Sequence, residues 1–79
     1  MLLELYKMDH CPYCQKVLRH LQSSGRTDVL LRDILESEEH ERRLIRDGGK
    51  RQVPCLFIDG VPLYESGDIV TWLEQHPQS

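Results

Sequence analysis

The chain has 79 residues, of which 39% are hydrophobic and 29% are charged, a composition that is typical of a folded domain and excludes a disordered tail. Its formal net charge of −3 excludes an electrostatic basis for binding nucleic acid. Three cysteines are too few for a disulfide scaffold, and no run approaches the roughly 20 apolar residues that cross a bilayer, so we expect one cytoplasmic domain over residues 1–79 with no membrane partner.

The first part of the chain predicts a strand followed by a helix. An apolar run from Leu2 to Tyr6 indicates the strand, and without a basic segment it does not resemble a secretory signal. A loop from Lys7 to His10 follows. Pro12 suits the first position of a helix, because its fixed φ fits there and its missing N–H is not needed. Apolar residues then recur at helical spacing until Ser23-Ser24-Gly25 ends the helix; they are Cys14, Val17, Leu18 and Leu21.

The rest of the chain predicts three more strands and two more helices. Apolar residues from Val29 to Leu35 hold the second strand, centred on residues 29–32. Ser37 is the predicted N-cap of a second helix, which Gly48-Gly49 ends. Ser66 is predicted to cap the last helix. Between these helices lie a third strand, a hairpin turn and a fourth strand, namely Val53–Ile58, Asp59-Gly60 and Val61–Tyr64.

This order of elements predicts the fold class. A strand, a helix and a second strand in succession require a parallel pair joined by a right-handed crossover. The later hairpin adds antiparallel strands to the same sheet. We therefore expect an α/β protein with the thioredoxin-like βαβ-ββα layout, in which three helices flank a mixed four-stranded sheet. The pattern does not define the order of the strands within the sheet.

Cys11-Pro12-Tyr13-Cys14 is the motif that carries the predicted chemistry. Two thiols at this spacing can close a disulfide, and a CxxC motif where a strand leads into a helix indicates a redox site in a small cytosolic protein. The thiolate is the reactive form, and the positive end of a helix dipole stabilises it. Cys11 is therefore the predicted exposed N-cap nucleophile, and Cys14 is the partly buried partner that resolves a mixed disulfide.

A zinc site is the alternative use of this cysteine pair. Its other ligands would come from His10, His20 or Cys55. Structural zinc normally needs a second pair of closely spaced ligands, and the sequence contains none, so we expect no metal. Cys55 itself is predicted to be a small buried residue.

Three further segments have plain structural interpretations when each is taken alone. Val53-Pro54 begins a strand with a trans bond, since only about 5–6% of X-Pro bonds in folded proteins are cis. Glu65 to Asp68 begins a helix, where a serine cap is the simpler alternative to a site that receives a carboxylate. Lys7, Lys50 and Arg51 lie in loops near the cysteines, where they either hold a substrate carboxylate or are solvated charges.

The motifs in combination resemble those of a known family. The CPYC motif at Cys11–Cys14, the Val53-Pro54 pair about 40 residues later and the hairpin that leads to a serine-bearing helix start resemble a dithiol glutaredoxin. The resemblance extends from Leu3 to Glu74. Asp9-His10 and Glu65-Ser66 are more similar to the N-terminal domain of glutathione-transferase-like glutaredoxins, which also contain a second, helical domain.

This resemblance implies a cis peptide bond before Pro54 and a groove for glutathione beside the cysteines. It implies that Cys11 takes up glutathione and that Cys14 resolves the mixed disulfide. The candidates for binding the glycyl carboxylate of glutathione are three basic residues, Lys7, Lys50 and Arg51. The other residues implied to contact glutathione are Tyr13, which lines the groove, Val53, whose backbone pairs with the cysteinyl part, Glu65 and Ser66 at the γ-glutamyl end, and Gln52 and Pro54.

The resemblance also implies an activity. We expect a glutathione-dependent thiol–disulfide oxidoreductase that reduces protein–glutathione mixed disulfides and protein disulfides, with glutathione as the reducing cosubstrate. One alternative is a thioredoxin-like donor that a flavoprotein reductase recharges. Another is a non-catalytic module that binds glutathione or an iron–sulfur cluster. The expected partners are glutathione and disulfide-containing or glutathionylated proteins, and we expect the protein to be a monomer.

Overall fold

The computed structural model describes residues 1–78 of the chain. In this part of the chain, four strands and three helices follow one another in the order βαβαββα. The strands are β1 (Leu3–Lys7), β2 (Val29–Asp33), β3 (Cys55–Ile58) and β4 (Val61–Leu63). The helices are α1 (Pro12–Ser23), α2 (Glu38–Gly48) and α3 (Ser66–Gln75). No helix among these is long and apolar enough to cross a membrane.

The four strands form one mixed sheet in the order β2-β1-β3-β4. β1 and β2 are parallel, with Leu5 opposite Leu31, because α1 connects them as a crossover. β3 is antiparallel to β1, with Leu5 opposite Leu56, and β4 pairs with β3 as a hairpin. This four-stranded mixed sheet with three helices is the thioredoxin-like fold that the element order predicted.

Each face of the sheet has its own hydrophobic layer. Successive residues of a strand point to opposite faces, so alternate residues of β1 and β3 enter different layers. The first layer joins the sheet to α1 and α3; its buried residues are Leu3, Leu5, Val17, Leu21, Leu56, Ile69 and Leu73. The second joins the sheet to α2; its buried residues are Tyr6, Ile34, Leu44, Cys55 and Phe57. The cysteine-bearing helix is therefore packed firmly against the sheet.

The ends of α1 and α2 lie where the sequence predicted them. Pro12 is the first residue of α1 and Cys11 is its N-cap, with extended backbone. At the start of α2, the Ser37 hydroxyl accepts a hydrogen bond from the backbone N–H of His40 at 3.4 Å. Gly49 ends α2 with a φ of 87°, a left-handed conformation that glycine adopts without a steric penalty.

The ends of three strands differ from the prediction. β2 ends at Asp33, so Leu35 is not in the strand and its side chain is exposed. β3 begins at Cys55 and not at Val53, because Pro54 has no N–H to donate to the ladder. β4 ends at Leu63, one residue before Tyr64.

The predicted cap of the last helix was also wrong. Glu65 is the N-cap of α3, and Ser66 is its first helical residue. No side chain makes a capping hydrogen bond there, and the Ser66 side chain is buried. The first backbone N–H groups of α3 therefore lack a capping side chain, as at a helix start that can receive an anion.

Candidate active site

Cys11 lies at the N-terminus of α1, between the end of β1 and the first helical turn. Its backbone N–H donates to the carbonyl of Met8 at 3.4 Å, and its carbonyl accepts from the N–H of Gln15 at 2.9 Å. The cysteine is partly exposed, and all three cysteines of the chain are free thiols. Cys11 is therefore held, partly exposed, at a helix start whose first N–H groups have no partner within the helix.

Cys14 lies one turn into α1 and is completely buried, more deeply than the sequence predicted. Its Sγ accepts a hydrogen bond from the backbone N–H of Met8 at 3.5 Å. Burial is the main cause that raises the pKa of Cys14 to about 11, and the hydrogen bond and charge of Cys11 act in the same direction. Cys14 is consequently a protonated thiol at neutral pH and must lose its proton before it can attack a disulfide.

A groove of about 440 Å³ lies beside the CPYC loop. Three separate segments form it: Tyr13 at the start of α1, the residues that precede β3 and the start of α3. The residues that line it are Tyr13, Gln52, Val53, Pro54, Glu65, Ser66 and Gly67. The structure thus brings together six of the predicted site residues, and adds Gly67, which the sequence reasoning did not single out.

The Val53–Pro54 peptide bond is cis, as the resemblance implied and contrary to the interpretation of Val53-Pro54 alone. The Tyr64–Glu65 bond at the opposite side of the groove is also cis. Tyr13 is two-thirds exposed at the mouth of the groove, whereas Ser66 is only 7% exposed.

Lys7 does not line the groove. It is the last residue of β1 and not a loop residue, and it is only 8% exposed. Its Nζ lies 2.5 Å from a carboxylate oxygen of Asp9 and 3.3 Å from one of Asp33. Burial alone would lower the pKa of Lys7, but these two carboxylates raise it. The ammonium therefore stays charged, is already paired and helps to lower the pKa of the nearby Cys14.

The other two basic candidates also lie outside the groove lining. Nε of Arg51 donates to a carboxylate oxygen of Glu41 at 3.0 Å, in an exposed ion pair. Nζ of Lys50 lies 4.6 Å from the centroid of the Tyr64 ring, a cation–π contact. None of the three basic residues thus points its charge into the groove in this structure.

Tyr64 is a residue of this region that the sequence reasoning missed. Its hydroxyl donates to the carbonyl of Gly48 at 3.2 Å and to that of Lys50 at 3.4 Å. Burial, followed by the neighbouring Cys55 thiol, raises the pKa of Tyr64. The available sequence signal was its position directly before Glu65-Ser66, but nothing local indicates that its hydroxyl reaches the end of α2.

Among residues 1–78, no group of three or more His, Cys, Asp or Glu side chains is arranged to hold a metal ion. Cys55 is completely buried, as predicted, and this burial raises the pKa of its thiol. A second cavity, of about 660 Å³, lies between the ends of α1 and α3, and no cysteine lines it.

Comparison with known proteins defines the family. Residues 5–79 match the family described as glutathione S-transferase, N-terminal domain, and the chain belongs to this family. It is also similar to glutaredoxin 1 of Rickettsia prowazekii (strain Madrid E), with 34% identity over 61 residues that cover 72% of this chain. The match spans 61% of that glutaredoxin's length.

Two solved structures illustrate the shared fold. Glutathione transferase Omega 3C from Trametes versicolor has a TM-score of 0.77 and 24% identity, and the alignment covers 96% of this chain and 34% of that one. Wheat glutaredoxin has a TM-score of 0.69 and 20% identity, with 95% of this chain and 72% of that one covered.

Proposed function

We propose that the protein is a glutathione-dependent thiol–disulfide oxidoreductase. The observation that carries the proposal is the groove, because Tyr13 of the CPYC motif, the Val53-Pro54 segment and the Glu65-Ser66 helix start come from distant parts of the chain and meet there. Membership of a glutathione S-transferase domain family and similarity to a protein named glutaredoxin support the same class. The partly exposed Cys11 beside the buried Cys14 supplies the two thiols that the chemistry needs.

In the proposed monothiol reaction, the Cys11 thiolate attacks the glutathione sulfur of a protein–glutathione mixed disulfide. A disulfide forms between Cys11 and glutathione, and the substrate protein leaves as a thiolate that takes up a proton. The thiolate of a second glutathione molecule then attacks the bound glutathione sulfur. Glutathione disulfide leaves, and the Cys11 thiolate is restored.

In the proposed dithiol reaction, Cys11 attacks a protein disulfide and remains linked to one of its sulfurs. Cys14 loses its proton and attacks the Cys11 sulfur, which closes the Cys11–Cys14 disulfide and releases the reduced substrate. Two glutathione molecules then reduce this disulfide and leave as glutathione disulfide. Because burial raises the pKa of Cys14, its thiol must give up a proton for this closure at neutral pH.

The groove supports a specific placement of glutathione. We place the cysteinyl part along the backbone of Val53, with which it would pair as in a β-ladder, and Tyr13 beside it. The γ-glutamyl carboxylate would receive N–H groups at the start of α3 together with the Ser66 hydroxyl, and the carboxylate of Glu65 would accept from the ammonium group. Gln52 and Pro54 form the rest of the groove wall on either side of Val53.

For the glycyl carboxylate we retain Arg51, which directly precedes Gln52 in the chain. Its exposed guanidinium would exchange Glu41 for the ligand. We do not retain Lys7, because its ammonium is buried between two carboxylates. The remaining parts of the proposal are a cytoplasmic location, a monomeric state, and glutathionylated or disulfide-containing proteins as substrates.

A glutathione-coupled assay on a small glutathione mixed disulfide tests the proposal. We expect Cys11→Ser to abolish turnover and Cys14→Ser to keep it while losing the reduction of protein disulfides. Cys55→Ser, which removes the third thiol, is the matched control and should keep both activities. Equal loss in the Cys11 and Cys14 variants, or turnover with a flavoprotein reductase but not with glutathione, would contradict the proposal.

A further inference from the structure

The two walls of the groove come from segments that are far apart in the chain. One wall consists of residues 52–54, within a stretch from residue 49 to residue 54 that is neither helix nor strand. The other wall consists of residues 65–67, where α3 begins. The width of the groove therefore depends on how the irregular stretch is held relative to the start of α3.

Tyr64 connects the segment before α3 to the end of α2 and to the irregular stretch. It immediately precedes Glu65, and its hydroxyl donates to the carbonyls of Gly48 and Lys50, at 3.2 and 3.4 Å. The carbonyl of Gly48 belongs to the last residue of α2, and that of Lys50 lies in the irregular stretch, two residues before Gln52. One side chain, next to Glu65 of one wall, thus holds the backbone that leads into the other wall, across 14 to 16 positions of sequence.

Two further contacts fix the Tyr64 side chain. The ammonium of Lys50 lies over its ring, 4.6 Å from the centroid, and the ring packs against the hydrophobic layer beneath α2. Gly48 leaves room for the hydroxyl, because a Cβ at that position would lie only 2.7 Å from the phenol oxygen. The close approach therefore requires glycine at residue 48, in a helical position where alanine is otherwise favoured.

We propose that Tyr64 is a positioning residue whose hydroxyl holds the two walls at the spacing that binds glutathione. The inference rests on the proposed function, because it takes glutathione as the ligand of the groove. Tyr64 does not line the groove and is not expected to touch the reacting sulfurs. Its loss should weaken ligand binding and leave the chemistry of Cys11 unchanged.

Tyr64→Phe tests this role, since it removes the hydroxyl and keeps the ring under Lys50. We expect the KM for glutathione to rise about threefold to tenfold, as for the loss of one hydrogen bond. The kcat at saturating glutathione and the rate at which iodoacetamide alkylates Cys11 should stay unchanged. Tyr6→Phe is the matched control, because it removes another buried phenol hydroxyl, which accepts from Arg43 Nη1 at 3.0 Å, and should leave the KM unchanged.

Gly48→Ala provides a second and independent test. The added methyl group should displace the Tyr64 hydroxyl and raise the KM in the wild-type background. In the Tyr64→Phe background the oxygen is gone, so the same alanine should have little further effect on the KM. Additive effects of the two substitutions would overturn the inference, as would a KM that Tyr64→Phe does not change.

A binding measurement separates this inference from the proposed function. S-methylglutathione has a blocked sulfur and serves as an unreactive probe in calorimetry. If the wild type binds it and Tyr64→Phe binds it about threefold to tenfold more weakly, the positioning role is supported. If wild type and variant bind it equally, the positioning role is wrong and the proposed function stands. If the wild type neither binds it nor turns over glutathione, both are wrong.

Discussion

The backbone N–H of Met8 donates to Sγ of Cys14 at 3.5 Å, which links the loop after β1 directly to the buried thiol. This hydrogen bond favours the thiolate, but burial of Cys14 outweighs it and raises the pKa to about 11. The two cysteines of one short motif therefore have different environments. Cys11 is partly exposed to solvent, whereas Cys14 is a buried acid that gives up its proton with difficulty.

The first prediction concerns the ionisation of Cys14. In a Cys11→Ser/Cys55→Ser variant, Cys14 is the remaining thiol, and ultraviolet absorbance of the thiolate reports its titration. We expect a midpoint above the ordinary value of 9.0 because burial is the largest cause of the shift, and below about 11 because the charge of Cys11 is gone. A midpoint at or below 9.0 would contradict the buried environment of Cys14.

The second prediction concerns the stability of the reduced protein in alkali. The folded-state pKa of Cys14 is higher than that of the unfolded chain, so the unfolded state loses its proton first as the pH rises. The free energy of unfolding should therefore fall between about pH 9 and pH 11. Cys14→Ser should show a shallower fall in urea titrations across the same range. Identical pH profiles for the two proteins would argue against the shift.

The third prediction concerns the buried ion pair behind the active site. Lys7→Met should leave the carboxylate of Asp33 without its cation, at a cost of about 3 kcal/mol in the free energy of unfolding. Lys7→Met/Asp33→Asn should recover part of this loss, because the remaining charge is removed as well. Urea denaturation measures the free energy of unfolding of both variants. A double variant no more stable than the single one would show that Asp33 does not depend on Lys7.

The same variant bears on the chemistry of Cys14. Lys7 helps to lower the pKa of Cys14, so its loss in the Cys11→Ser/Cys55→Ser background should raise the titration midpoint of Cys14 further. Lys7→Arg, which keeps the charge, is the matched control and should change the midpoint less. A midpoint that Lys7→Met does not move would mean that the ammonium acts on the two aspartates alone.

The fourth prediction concerns the γ-glutamyl end of the proposed groove. Glu65→Gln should raise the KM for glutathione about tenfold, since it removes the charge from a hydrogen bond to an ammonium group. Asp68→Asn is the matched control, because Asp68 is also an acidic residue near the start of α3 but does not line the groove. Steady-state kinetics give the KM for glutathione of each variant. If both substitutions raised the KM equally, the effect would come from negative charge near the start of α3 in general and not from a contact between Glu65 and glutathione.

The sequence determined the parts of this protein that depend on neighbouring residues. Pro12 at the first helical position and the helical spacing after it predicted α1 and placed Cys11 at its N-cap, because helix starts depend on local backbone conformation. Ser37 and Gly49 marked the ends of α2 for the same reason. The thioredoxin-like fold class followed from the order of the elements, since chain connectivity restricts the possible topologies.

The tertiary structure alone decided the contacts that join distant segments. Lys7 was predicted to be a loop charge available to a ligand, but its ammonium is buried against Asp33, 26 residues away. The order of the strands, the first helical position of Ser66 and the reach of Tyr64 to Gly48 likewise had no local signal. Such contacts depend on which side chains packing brings together and on the burial that follows, and a pattern of neighbouring residues does not contain that information.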